Sequence, residues 1–218
     1  MKLEISDIHK AYNGKAVLSG SSFIFDKKKT YVLMGHNGSG KSTLFRLCAL
    51  LEHPDSGEIN YLEGDRLLTK DIALKRRITL VLPGVGLFNT SAYNNIAYGL
   101  KIRKQPEKEI ADNVEYSLNF VGLFEKRKQN ALTLSSGEAQ RLGIARAIVI
   151  KPDVLFLDEP TAHVDEKNTE IIEDLILKIK NSGKSMVFIT THDASQAERL
   201  ADVMLLLDKG KIALFKKK

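Results

Sequence analysis

The chain of 218 residues is 43% hydrophobic, which is enough for a sizeable core and excludes disorder as the default interpretation. Its net charge of +6 is small for this length, and the absence of Trp and of a long basic stripe argues against nucleic-acid binding. The apolar runs are too short to span a bilayer or to form a secretory signal, and the single Cys48 excludes an internal disulfide. We therefore expect a cytosolic protein. The lysine clusters at 27–29 and 216–218 are interpreted as a solvated turn and tail.

The first part of the chain predicts short strands around one helix. Residues 3–8 alternate between apolar and polar side chains, as half-buried strands do. Further strands are predicted at 17–25, 30–34, 58–62 and 78–82, with a turn at 12–15. One helix is predicted from Lys41 to about Leu51, where the sequence His-Pro-Asp-Ser-Gly stops it.

From residue 84 to about 147 the apolar spacing becomes helical, with helices predicted at 92–100, 107–120 and 137–150. Strands then return at 154–158 and 186–190, with helices at 165–180 and 194–200, and a terminal hairpin of 203–207 and 211–215. This alternation predicts an α/β fold with a mostly parallel sheet. We expect a single domain, in which 1–83 and 148–218 form the core and 84–147 form an inserted helical subdomain.

The most informative stretch is Gly-His-Asn-Gly-Ser-Gly-Lys-Ser at residues 35–42, which lies between a predicted strand and a predicted helix. This is the pattern of a phosphate-binding P-loop. Its glycines allow backbone N–H groups to approach phosphate oxygens, and the helix N-terminus adds a positive dipole end. Lys41 is expected to reach the β- and γ-phosphates, and the Ser42 hydroxyl to bind Mg²⁺. The sequence therefore predicts a nucleoside triphosphate site.

A second candidate lies where the apolar strand 154–157 runs into Asp158 and Glu159. Two carboxylates at the end of a strand downstream of a P-loop suit a Mg·nucleotide site. We expect Asp158 to hold Mg²⁺, directly or through water, and Glu159 to act as general base on the attacking water.

Between these motifs, Leu-Ser-Ser-Gly-Glu at 134–138 opens a helix about twenty residues before Asp158, and Thr-Thr-His-Asp at 190–193 ends a later strand. Each string alone is an ordinary helix cap or strand end. Together with the P-loop, in this order, they resemble an ATP-binding-cassette (ABC) ATPase, and the resemblance covers essentially the whole chain. It is most similar to prokaryotic importer cassettes of the tungstate, molybdate and phosphate group, through residues 48–54 and 86–100.

The resemblance implies a P-loop NTPase core with a mostly parallel sheet, an N-terminal antiparallel β subdomain and the inserted helical subdomain. It also implies roles for individual residues. Tyr12 matches the aromatic that stacks on adenine, and His192 matches the switch histidine at the γ-phosphate. Ser135 and Gly137 match signature contacts to ATP held by the other subunit, and Asp165 lies in the D-loop. The expected nucleotide-binding loop comprises Gly35, His36, Asn37, Gly38, Ser39, Gly40, Lys41, Ser42 and Thr43.

Because the chain has one set of motifs, the resemblance implies a head-to-tail dimer, either with a second copy or with a sister cassette. ATP would bridge the closed dimer, and hydrolysis would reopen it. The partners implied are integral membrane permease subunits and a solute-binding protein. The implied location is the cytoplasmic face of a prokaryotic cell membrane, with import of an oxyanion such as tungstate.

Three positions depart from the family pattern. Pro83 stands where a glutamine usually joins the Mg²⁺ and water shell, so we expect an unusual coupling loop but not inactivity. Ser136 and Glu138 replace a glycine and a glutamine of the signature, which is a minor change. Ala162 and His163 replace Ser and Ala of the D-loop, and His163 is interpreted as an exposed loop residue. His36 is likewise interpreted as a variant at the loop tip.

Other classes of protein remain open. A cassette of a lipoprotein-release, cell-division or peptide-export complex is compatible with the motifs. DNA-repair relatives carry a long coiled coil between P-loop and signature, for which the roughly ninety residues here leave no room. Ribosome-associated relatives carry two cassettes in one chain. A non-enzymatic ATP-binding regulator is disfavoured because Lys41, Asp158, Glu159 and His192 are all present.

Overall fold

The computed structural model describes residues 1–26 and 28–217, without the side chain of Lys217. Lys27 and Lys218, which belong to the two lysine clusters, lie outside the described residues. In chain order the elements are β1 (Lys2–Tyr12), β2 (Lys15–Phe25), β3 (Thr30–Met34), α1 (Lys41–Cys48), β4 (Ser56–Glu63), β5 (Arg66–Leu67), α2 (Ile72–Lys75), β6 (Ile78–Val81), α3 (Ala92–Ile102), α4 (Glu107–Phe120), α5 (Ser136–Ile148), β7 (Val154–Asp158), α6 (Glu166–Asn181), β8 (Met186–Thr191), α7 (Ala194–Leu200), β9 (Val203–Asp208) and β10 (Lys211–Lys217).

The N-terminal strands form a four-stranded antiparallel sheet in the order β2-β1-β4-β5. β1 and β2 are joined by the two-residue turn Asn13-Gly14, in which both residues have positive φ (50° and 77°). Such Asn-Gly turns match the twist of the flanking strands, so the local sequence closes this hairpin. The sheet confirms the expected antiparallel β region.

The second sheet has the order β10-β9-β3-β8-β7-β6. β10 pairs with β9 in the antiparallel direction, and all other neighbouring strands of this sheet pair in the parallel direction. The strands β3, β7 and β8 are buried along nearly their whole length, as parallel strands covered on both faces are. Their carboxyl ends lie at one edge of the sheet, where open α/β sheets bind ligands. The α/β fold predicted from the sequence is therefore confirmed.

Between the two sheets, α1 contributes Phe45 to an aromatic core with Phe156 and Phe188. The ring centroids of Phe156 and Phe188 are 4.6 Å apart and nearly parallel, and Phe45 lies 5.0 Å from Phe156. This packing fixes the helix that follows the P-loop against the strands that carry Asp158 and His192. A second core lies between the parallel sheet and helices α5, α6 and α7, and a third lies among α3, α4 and α5.

Helix α1 is shorter than the sequence predicts. It ends at Cys48, and the chain then turns through Leu50, whose φ is +57°. The Leu51 N–H donates to the Arg46 carbonyl at 3.0 Å, so the last turn closes back on the helix. The short elements β5 and α2 were not predicted, because two and four residues carry too little periodicity to be recognised.

Candidate active site

The loop of residues 35–40 is shaped by two glycines that accept no side chain. A Cβ on Gly35 would lie 2.7 Å from the Leu207 carbonyl oxygen and 2.7 Å from Ser39 Oγ. Gly40 has φ +103°, and a Cβ there would lie 2.8 Å from Val17 Cγ1. The backbone is therefore packed against its neighbours at both ends of the loop, where a residue with a side chain would not fit.

Lys41 folds back beneath this loop. Its ammonium donates to the carbonyls of Gly35 at 2.8 Å and His36 at 3.2 Å, and its side chain is 5% exposed. The hydroxyl of Ser39 is buried without a hydrogen-bond partner among the described residues. A buried cation and an unsatisfied hydroxyl in a glycine-rich loop at the start of α1 form a cradle suited to an anion.

One residue of the neighbouring strand contacts both acidic residues predicted at the end of β7, Asp158 through its carboxylate and Glu159 through its backbone. Asp158 pairs in register with Thr190, whose hydroxyl donates to Asp158 Oδ1 at 2.6 Å. The same hydroxyl accepts from the Glu159 N–H at 2.8 Å. Thr190 was not singled out from the sequence, although two parallel strands that both end in polar residues could have indicated this contact.

Glu159 lies at the centre of the charged groups. Its φ is +44°, a region that a residue with a side chain occupies at a cost of about 1–2 kcal/mol. One carboxylate oxygen lies 3.6 Å from Lys41 Nζ and the other 3.6 Å from His192 Nδ1. The structure therefore brings together Lys41, Asp158, Glu159 and His192 at the carboxyl ends of β3, β7 and β8.

His192 follows β8 directly and is 64% exposed, so one side of its ring remains accessible. The next residue, Asp193, caps α7 by accepting from Ser195 N at 2.8 Å and Gln196 N at 3.1 Å. This cap fixes where the chain leaves the strand, and with it the position of His192.

Tyr12 lies at the end of β1, beside the helix that begins with Lys41. It is 39% exposed, and its hydroxyl donates to Glu52 in the segment after α1. Burial of the hydroxyl and the bond to Glu52 raise the pKa of Tyr12, against a smaller opposing effect of Thr43. The ring therefore lies near α1, since Glu52 contacts both Tyr12 and Arg46 of that helix, and its role at the adenine base stays a prediction.

Ser135, Gly137 and Asp165 form a separate group at the N-termini of α5 and α6. Ser135 caps α5 in a capping box with Glu138, and Asp165 caps α6 by accepting from Asn168 N at 2.9 Å. A Cβ on Gly137 would lie 2.4 Å from Asn168 Cγ, so the two helix starts are in close contact. Among the described residues, neither serine nor aspartate of this group bonds to the Lys41 cluster.

The residues that depart from the family pattern, and His36, lie in loops or at the start of α5. Pro83 is exposed after β6 and lines a cleft of about 320 Å³ together with Ser136 and His163. His163 is exposed and has φ +62°, while Nδ1 of the exposed His36 ring lies 2.9 Å from the carbonyl oxygen of its neighbour Asn37. His36 and His163 are thus both exposed loop residues. Pro83 has no side-chain hydrogen bond in the described chain.

A family model described as ABC transporter matches residues 18–162. Among curated proteins, the chain is 36% identical to a tungstate uptake system ATP-binding protein of Peptoclostridium acidaminophilum, over 97% of both chains. It is 35% identical to a phosphate import ATP-binding protein of Natronomonas pharaonis, covering 96% of this chain and 78% of that one. It is also 35% identical to a methionine import ATP-binding protein of Listeria monocytogenes, covering 95% of this chain and 64% of that one.

A solved structure gives the same result at the level of the fold. The cbiO1 protein of Clostridium perfringens, part of the ABC transporter complex cbiONQ, superimposes with a TM-score of 0.85 at 28% identity. The match covers 97% of this chain and 86% of that one. The chain therefore belongs to the ABC transporter family, as an ATP-binding and ATP-hydrolysing member.

Proposed function

We propose that this chain is the ATPase subunit of an ABC importer and drives transport by closing as a head-to-tail dimer over ATP. The observation that carries this proposal is the meeting of Lys41, Asp158, Glu159 and His192 at one edge of the sheet. A structural ion-pair cluster would not need a glycine cradle, a strained glutamate and an accessible histidine at the same place.

In this proposal the triphosphate lies on the loop from Gly35 to Thr43. The loop amides and the start of α1 would face the phosphates, and Lys41 would exchange its contacts with two carbonyls for charge-assisted contacts with phosphate oxygens. The unpartnered Ser39 hydroxyl supports the fit, because a phosphate oxygen would satisfy it. Tyr12 would carry the adenine base.

The residues present also fit a Mg²⁺ ion. Ser42 begins α1 beside Lys41, and Asp158 is 1% exposed at the end of β7, so both offer hard oxygen ligands close to the phosphate cradle. Mg²⁺ held there would neutralise charge on the β- and γ-phosphates. Thr190 would hold the Asp158 carboxylate in place for this task.

Glu159 is proposed to accept a proton from the attacking water. The water oxygen would add to the γ-phosphorus while the bond to the bridging oxygen of ADP breaks, giving ADP and phosphate. Lys41 and His192 flank the carboxylate at 3.6 Å on either side, which would keep it aimed at the water and place His192 beside the γ-phosphate.

The site is proposed to be completed by a second copy or a sister cassette. Ser135 and Gly137 lie at the N-terminus of α5, and Asp165 caps the start of α6, which contacts Gly137 through Asn168. An N-terminus of this kind suits the γ-phosphate of an ATP on another subunit. ATP would then be shared by two chains, so binding would favour the closed dimer.

A permease is proposed to dock on a groove of about 330 Å³ between β6 and the helical segment 84–147, which we propose is an inserted subdomain. Leu82, Phe88 and Tyr98 are exposed around this groove (37%, 42% and 48%). Exposed apolar side chains grouped in this way mark interaction sites.

No helix in the described part of the chain is long and apolar enough to cross a membrane. From the similarity to ATP-binding proteins of importers, we propose that the chain works at the cytoplasmic face of the membrane, bound to permease subunits that receive solute from a binding protein.

The transported solute is proposed to be an oxyanion such as tungstate. Support comes from the similarity to the tungstate and phosphate proteins. The methionine import protein is nearly as similar in sequence, so an amino acid is the alternative class of solute. The solute would not contact this chain, so its nature must be tested with the assembled transporter.

The dimer proposal can be tested with Glu159→Gln, which keeps the shape of the side chain but removes the proton acceptor. Light scattering should show a stable dimer of this variant in ATP and a monomer without it. Lys41→Ala combined with Glu159→Gln is the matched control and should stay monomeric. A Glu159→Gln variant that remains monomeric in saturating ATP would contradict the proposal.

A further inference from the structure

The ring of Tyr12 is held in one orientation although more than a third of its surface is exposed. Its hydroxyl donates to Oε2 of Glu52, and the ammonium of Lys10 lies 5.5 Å from the ring centroid. An exposed aromatic side chain normally samples several rotamers, so a charge-assisted bond at its tip and a cation over its face both restrict it.

The strand end beneath the ring is held by the same loop that carries Glu52. Asp55 accepts from the Ala11 N–H at 2.7 Å and from Lys10 Nζ at 2.8 Å, and its own N–H donates to the His9 carbonyl at 2.9 Å. The backbone just before Tyr12 is therefore bonded to the segment that follows α1.

Glu52 also faces the helix of the phosphate cradle. Its Oε1 lies 3.8 Å from a guanidinium nitrogen of Arg46, which is on α1, while its Oε2 accepts from Tyr12. One carboxylate thus lies between the helix that begins at Lys41 and the ring at the end of β1.

We infer that Glu52 is a positioning residue for nucleobase binding, because it fixes the Tyr12 ring at a set distance from the phosphate cradle. This inference rests on the proposed function, in which Tyr12 carries the adenine base. Lys10 lies over one face of the ring, which leaves the opposite face for the base. A ring fixed before ATP arrives avoids the loss of rotamer entropy on binding, so Glu52 should raise affinity without contacting ATP.

The test compares ATP with inorganic tripolyphosphate, which has the phosphates but no base. Tyr12→Phe and Glu52→Ala should each weaken ATP binding roughly three- to tenfold, since each removes the same hydrogen bond. The double variant should be no weaker than the single variants. Affinity for tripolyphosphate should be unchanged in all three. Glu52→Gln, which keeps an acceptor, should restore most of the ATP affinity.

Tyr116→Phe is the matched control, since Tyr116 is 67% exposed on α4 and belongs to the helical segment. It should bind ATP as the unaltered chain does. The inference is overturned if Glu52→Ala binds ATP normally, or if tripolyphosphate binding falls as much as ATP binding, which would show a damaged cradle. An unaltered chain that binds neither ligand would instead overturn the proposed function.

Discussion

The hydroxyl of Thr190 donates to Asp158 at 2.6 Å and, through the same oxygen, accepts from the backbone N–H of Glu159. One side chain on β8 thereby orients two acidic residues at the end of β7. Because Asp158 is almost fully buried, its carboxylate depends on this donor for both its position and its solvation.

Thr190→Val, which is nearly isosteric, should show whether Thr190 positions Asp158 for hydrolysis or affects the binding of ATP. We expect kcat for ATP hydrolysis to fall about 10- to 100-fold, because small displacements of reacting groups cost this much, while KM for ATP changes little. The loss of a donor to a buried carboxylate should also lower the free energy of unfolding by about 1–3 kcal/mol. Steady-state kinetics and urea unfolding measure the two effects.

Thr79→Val is the control for this substitution, because the Thr79 hydroxyl is buried on β6 without a hydrogen-bond partner in the described chain. It should leave kcat unchanged and stability unchanged or slightly higher. A Thr190→Val variant that is less stable but fully active would show that the contact is structural only.

Lys41→Ala should leave the fold intact and remove nucleotide binding. The ammonium is buried against two carbonyls and near Glu159, so its loss removes the lysine charge that is proposed to contact the phosphates. We expect the Kd for ATP to rise about tenfold or more, measured by titration calorimetry on samples with unchanged circular dichroism. Unchanged affinity would contradict the assignment of the phosphate cradle.

Gly137→Ala should destabilise the contact between the starts of α5 and α6. Three atoms of Asn168 would lie within 2.4–2.6 Å of the new methyl group, so one helix must move, at a cost of about 1–3 kcal/mol. Asn168→Gly removes all three atoms and should recover much of the lost stability in the double variant. Thermal unfolding of the four proteins provides the test, and additive losses would show that the two residues do not interact.

Much of the fold follows from local sequence. The strand of 30–34, the helix of 107–120 and the strand of 154–158 lie where periodicity predicts them. The end of α1 was missed because it depends on a left-handed Leu50, which is set by the path of the chain to β4 rather than by a helix stop signal. Tertiary packing decides such ends.

The site was predictable where one motif carries its residues, as for Lys41, Asp158 and Glu159. Thr190 and Glu52 were not, since each acts through a neighbour that is distant in sequence: Thr190 through the register of β7 and β8, and Glu52 through a bond to β1. Both contacts depend on how segments distant in sequence come together in the fold. The roles assigned to all of the site residues, and the coupling role assigned to the Pro83 position, stay predictions.

The ion pair of Glu173 with Arg199 predicts a dependence of stability on pH. Two bonds from Arg199 hold the pKa of Glu173 below its usual value. A lowered pKa stabilises the fold above the pKa of the unfolded chain, and the gain disappears as pH falls through the folded pKa. Arg199 is half-exposed, so after allowance for screening Glu173→Gln should cost only about 1–2 kcal/mol at pH 7.

Urea unfolding at pH 7 and at about pH 3 would measure this difference. The two proteins should differ at pH 7 and converge at the acid pH. Glu63→Gln, which alters an ion pair with half-exposed Glu63, is the control and should change stability little at either pH, because solvent screens an exposed ion pair. A Glu173→Gln cost that persists unchanged in acid would show that charge is not its origin.

Hydrolysis of ATP by the purified chain, with and without Mg²⁺ and beside Glu159→Gln, tests the central claim most directly. The geometry around Glu159 predicts Mg²⁺-dependent turnover by the unaltered chain, despite Pro83, and a loss of at least about a hundredfold in the variant. ATP turnover by Glu159→Gln equal to that of the unaltered chain would contradict the role of Glu159 and with it the proposed site.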